Sequence, residues 1–407
     1  MMGFAAAMTA ARSQTVARNA RLNHIAYQHH ISLRWTENIP FRRTYLRYFN
    51  QLPSLVHDSV LDIYDIHVPE GDAVLPPTFF HDLNHFNHIE KLYWNIPRHS
   101  AEVAKLVAHQ QNLRELSLVT KNLQDSDLDC VSQFSNLNTL AIDGLESKHL
   151  RGQFLQAAVG NSPQLKRLIV HHVNLSDEAS QNIGKLTTLT NLDLTGSELT
   201  SKSASCLSGI PLLDDLTLNE IPIDDAFGAT LTKLTELKFL RVKGTLLTSA
   251  ALQNLEHCPS LILLETGGKQ GDSELLSHVS KCPKLKVIDI VWTGKFSSGD
   301  IANFNQFPGA SYLYFADIGD TEAEHLVQCE HLTGLDIHST RLTLLGVRSL
   351  MGMTDLRHLK LAGTAWGPEL VDVLEESGTL ETVKILDRLW EWWEFEDLRE
   401  KLRSQSK

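Results

Sequence analysis

The stretch Leu189-Thr190-Asn191-Leu192-Asp193-Leu194-Thr195-Gly196-Ser197-Glu198-Leu199-Thr200 decides the architecture. Within it Leu192 and Leu194 alternate with Asn191 and Asp193, the period of a half-buried strand with leucines on one face and polar side chains on the other. Ser197 follows, placed to bond the backbone that turns out of the strand, and Leu199 returns the chain to the apolar side.

The same L-x-x-L-x-L pattern recurs on both sides of this stretch. Its first apolar position falls at Ile89, Leu113, Leu137, Leu165, Leu189, Leu213, Leu237, Leu261, Leu285, Ala310, Leu332, Leu356 and Leu380, at intervals of 22 to 28 residues and most often 24. A degenerate copy, Ile63-x-x-Ile66-x-Val68, lies upstream. Such a period predicts a repeat array with one short strand per unit. Five residues beyond each strand an apolar residue returns (Leu175, Leu199, Ile223, Leu247, Leu342, Trp366), and a hydroxyl often precedes it by two (Ser197, Thr245, Thr293, Thr340, Thr364). Helix starts such as Leu175-Ser176-Asp177-Glu178 combine a capping hydroxyl with early acids. The short helices carry apolar residues six and three before the next strand leucine, as at Leu231 with Leu234 and Leu350 with Met353.

The units Leu189–Leu212, Leu237–Ser260 and Leu332–Asp355, built on L-x-x-L-x-L-x-x-T-x-L-T, resemble leucine-rich-repeat proteins, and in their length the 24-residue bacterial type found in planctomycete-like genomes. The later part of the repeat departs from that type's T-D-x-G-L at Thr200-Ser201-Lys202 and Thr248-Ser249-Ala250. The resemblance covers about residues 63–390. It implies an α/β right-handed solenoid with parallel strands on the concave face and short helices on the convex face. It also implies a scaffold that binds other macromolecules, and it brings no catalytic residues. The expected division is an arginine-rich arm and cap over 1–62, a solenoid of about 13–14 repeats over 63–388, and a tryptophan-rich capping helix over 389–407.

Composition narrows the function. Residues 1–50 carry a net +6 against a whole-chain −12, which leaves −18 for the remainder, a balance unsuited to general nucleic-acid binding. No run of 18 apolar residues exists to span a membrane. The five cysteines fit repeat slots: Cys258, Cys282 and Cys329 take a column filled elsewhere by Phe134, Leu186, Ile210, Leu234, Phe307 and Met353, and Cys130 and Cys206 share another. A reducing, cytoplasmic setting and core roles are therefore expected, with no metal and no cofactor. His81, His85 and His88 flank the buried slots of Leu83 and Phe86, so they read as a solvated face. Gly267-Gly268-Lys269-Gln270-Gly271 replaces the hydroxyl turn of one repeat and does not open a phosphate-binding helix. Asp336 and His338 share a strand face, yet side chains two apart stand about 7 Å from each other, too far for an aspartate to orient a histidine.

The ends differ from the array. Met1 to Ala11 is apolar and Arg12, Arg18 and Arg21 follow, a composition shared with transit peptides; the expectation is an N-terminal helix or arm that adds little to the stability of the repeats. At the other end Trp390 falls in the slot of Trp366, and Trp392, Phe395, Leu398 and Leu402 form one helical stripe suited to closing the array.

The candidate site lies in the outward columns. One column reads Phe239, Leu263, Val287 and Tyr312 where its other members are mostly polar, and the next reads Arg241, Glu265, Asp289, Tyr314 and Asp336, with Trp292 adjoining. Apolar residues rimmed by charge have the composition of an interface. Glu265 and Asp289 should repel unless Arg241 or a partner compensates. The reading is a non-catalytic protein- or peptide-binding scaffold. The alternatives are a substrate receptor resembling F-box leucine-rich-repeat proteins, with residues 34–60 as recruiting module, and a regulatory subunit of an enzyme.

Overall fold

The computed structural model describes residues 17–28, 31–37, 61–68, 74–86, 88–95, 100–110, 112–119, 123–144, 147, 149–267, 273–290, 312–316, 318–329, 332–385, 388–391 and 394–405. The chain divides into two compact units, Met1–Leu189 and Thr190–Lys407.

In the first unit, β2 (Leu61–Val68), β3 (Lys91–Trp94), β4 (Glu115–Val119), β5 (Thr139–Asp143) and β6 (Arg167–His171) pair in parallel, each with the next in sequence. The preceding strand β1 (Ser32–Glu37) lies antiparallel on β2. Residues 34–37 of the segment considered as a recruiting module thus belong to a sheet, and 38–60 lie outside the described residues. In the second unit β7 (Asn191–Asp193), β8 (Asp215–Thr217), β9 (Phe239–Lys243), β10 (Leu263–Gly267), β11 (Val287–Ile290), β12 (Tyr312–Ala316), β13 (Gly334–His338), β14 (His358–Ala362) and β15 (Thr382–Ile385) are parallel and again in chain order. This is the unclosed, mostly parallel sheet backed by short helices that the periodicity predicts.

Packing follows the columns of the repeat. Leu192, Leu216, Leu240, Leu264, Ile288, Leu313, Leu335, Leu359 and Val383 are all buried, and the helix-end pairs Leu231 with Leu234 and Leu350 with Met353 are buried beneath them. The seventh residue after the first strand leucine adopts the left-handed conformation at His172 (φ 54°), Gly196 (66°), Glu220 (59°), Gly244 (70°) and Gly363 (91°). A side chain at Gly244 would meet only ordinary contacts at 3.4 Å, whereas a Cβ at Gly363 would lie 2.9 Å from the Ser339 carbonyl oxygen. Gly244→Ala is therefore expected to cost about 1–2 kcal/mol, the left-handed penalty alone. Gly363→Ala should cost more because its backbone must also shift, and urea melts of the two variants order them.

Hydroxyls and carboxylates add further ties. Thr245 donates to the Val242 carbonyl of its own turn at 2.8 Å, whereas Thr364 donates to the Ser339 carbonyl of the preceding repeat at 2.7 Å. Thr340, expected in this role, is exposed; Ser339 takes it one residue earlier, donating to the Ile318 carbonyl at 2.6 Å. Thr293 lies outside the described residues. On the helical side Asp225 accepts from the amide and hydroxyl of Thr248, and Asp320 from those of Thr343, all within 2.6–2.8 Å. Each carboxylate thus holds the threonine that caps the helix of the next repeat.

No disulfide joins the five cysteines, four of which are buried. Burial pushes the thiols of Cys258 and Cys329 up to about 12 and those of Cys130 and Cys282 to about 11. Cys258 and Cys282 donate to the carbonyls of Leu231 and Leu255 one repeat earlier, both at 3.6 Å. These are packing residues with little thiolate at neutral pH. His81, His85 and His88 are exposed beside buried Leu83 and Phe86. Of the glycine-rich turn, only Gly267 is described, as the last residue of β10.

The termini pack more closely than the sequence suggests. Residues 17–28 form a helix with Leu22, Ile25 and Ala26 buried. Its Arg21 grips the buried carboxylate of Asp82 with two hydrogen bonds of 2.8 and 2.9 Å, and Arg18 lies 4.8 Å over the Phe86 ring. This part of the segment is not a loose arm; its arginines anchor it to the helix Pro77–Leu83 and the turn that follows. At the other end Trp390 is buried, but on a strand, β16 (Arg388–Glu391), which runs antiparallel to β15 and pairs Trp390 with Val383. The helix Phe395–Gln405 then buries Phe395, Leu398 and Leu402; Trp392 lies outside the described residues.

Candidate functional site

On the open face of the second unit, Phe239, Leu263 and Val287 stand side by side on β9, β10 and β11, directly in register, and each is only half-buried. Alternation puts them there: Leu240, Leu264 and Ile288 take the inward positions, so the residues before them must face out. The backbone of Tyr312 continues the row on β12, opposite Val287 on one side and buried Gly334 on the other. Trp292 lies outside the described residues.

The second row is a chain of ion pairs. Arg241 reaches Asp215 at 2.7 Å and Glu265 at 3.3 Å, while Lys243 reaches Glu265 at 3.6 Å and Asp289 at 2.5 Å. Further along, Lys360 holds Asp336 at 2.6 Å. The two carboxylates are compensated as the sequence required: Arg241 pairs with Glu265, and Lys243 lies between Glu265 and Asp289. Lys243 escaped the sequence reading because it occupies a third outward position on β9, beyond the two columns followed. Lys360 stood in the second column, outside the run singled out.

Tyr314 sits in register between Asp289 and Asp336, with the ammonium groups of Lys243 and Lys360 at 5.7 and 5.9 Å from its ring centre. Burial, then the carboxylates of Asp336 and Asp289, push its phenol up against the opposing pull of the two lysines, so it stays protonated at neutral pH. Arg241 also lies 5.9 Å from the Phe239 ring, linking the rows. Asp336 is buried and committed to Lys360, whereas His338 is exposed, so the two do not form a catalytic pair.

The face therefore offers an apolar row beside a polar row whose charges are largely satisfied internally. Among the described residues, no group of three or more histidine, cysteine, aspartate or glutamate side chains could hold a metal ion, and no helix is long and apolar enough to cross a membrane.

A crystal structure of an internalin from Listeria monocytogenes is similar to this chain, with a TM-score of 0.50 at 17% identity, covering 78% of this chain and 86% of that one. No protein-family model matches the chain, and no curated protein matches it. At this identity the likeness concerns the fold, and with the repeat register it defines a leucine-rich-repeat solenoid.

Proposed function

We propose that the chain is a non-catalytic scaffold that binds a protein or peptide on the concave sheet of its seventh to tenth repeats. Phe239, Leu263, Val287, Tyr312 and Trp292 would make the apolar contact, with Arg241, Glu265, Asp289, Tyr314 and Asp336 as its polar border. The observation that carries this reading is the half-buried row Phe239-Leu263-Val287, set beside ion pairs that already neutralise one another. An apolar row left open on a rigid sheet gains free energy when a complementary surface covers it, and preformed ion pairs add shape at small desolvation cost. Buried, unactivated thiols support a reducing, cytoplasmic setting, and the 24-residue repeat length supports the bacterial repeat type.

The test compares proteins crosslinked to the parent chain with those crosslinked to a Phe239→Ser/Leu263→Ser variant of unchanged melting curve. A partner on this face should lose on the order of 2 kcal/mol or more in binding. Its association should depend weakly on salt, since the ladder presents few unpaired charges. A partner retained in full by the variant would place recognition elsewhere and defeat the reading.

A further inference from the structure

We draw no further inference here: the strongest candidate, the cleft of about 870 Å³ between the loop 375–381 and the start of the helix Phe395–Gln405, carries nothing, because its Glu375, Glu381 and Glu396 are already engaged by Arg357 and Arg399 at 3.0–3.8 Å and residues 392–393, just before its Phe395 wall, lie outside the described residues, so nothing in the structure shows what covers it.

Discussion

Leu22→Ala is expected to destabilise the first unit by about 2–5 kcal/mol, and removal of residues 1–28 to do so by more. Leu22 is fully buried, and Ile25 and Ala26 on the same helical face are nearly so. Truncating Leu22 leaves a cavity that a short helix, held by one face, can close only in part. Deletion of the whole helix would expose that face and strip Asp82, a carboxylate 2% exposed, of the guanidinium that gives it two hydrogen bonds. A buried carboxylate without its cation is strongly unfavourable, so Arg21→Met should also destabilise, whereas Asp82→Asn with Arg21→Met should recover part of the loss. Tyr27→Ala provides the control, since Tyr27 is 84% exposed. Urea melts of these variants decide the matter, and coincidence of the truncated and parent curves would mean that the helix contributes nothing.

The array was legible because a period repeated many times averages out local ambiguity. Each strand of the array, β2 to β15, starts within two residues of its predicted first apolar residue, and the outward positions of β9, β10 and β11 follow from alternation alone. The packing of the expected N-terminal helix was not legible for the opposite reason. Leu22, Ile25 and Ala26 make a stripe of scarcely more than one turn among residues rich in arginine, and the partner of Arg21 lies 61 residues away. Nothing local marks Asp82 as its acceptor. The C-terminal strand was missed because Trp390 satisfies the repeat's core slot equally well on a strand or in a turn. The unpaired edge of β15 favours the strand, since its amides and carbonyls need partners.

The site was legible in part. Alternation exposes the apolar row, but it gives no account of which charges meet across strands. Lys243 pairs with Asp289 two strands away, a reach that depends on a long flexible side chain and not on register. The carboxylate caps were also overlooked, although they leave a trace: Asp225 precedes Thr248, and Asp320 precedes Thr343, by the same 23 residues. Gly346 completes the second cap, because a Cβ there would collide with the Asp320 carboxylate.

Adjacent residues on β9 should respond to truncation to very different degrees. Leu240→Ala is expected to cost about 2–5 kcal/mol, near the upper end, while Phe239→Ser costs well under half as much. Leu240 is fully buried and lies in register between Leu216 and Leu264, themselves fully buried, so one cavity loosens the packing of β9 on both of its neighbours. In an array where each repeat touches only the next, stability is close to a sum of repeat and interface contributions, and a defect that weakens two interfaces cannot be absorbed elsewhere. The second unit should then lose cooperativity as well as stability, seen as a shallower denaturant slope in Leu240→Ala than in the parent. Phe239→Ser removes a side chain that the sheet buries only in part, so its loss costs the fold less and falls more on what covers that row. Equal unfolding midpoints for the two variants would mean that the strand's faces are reversed, and with them every outward residue of the apolar row.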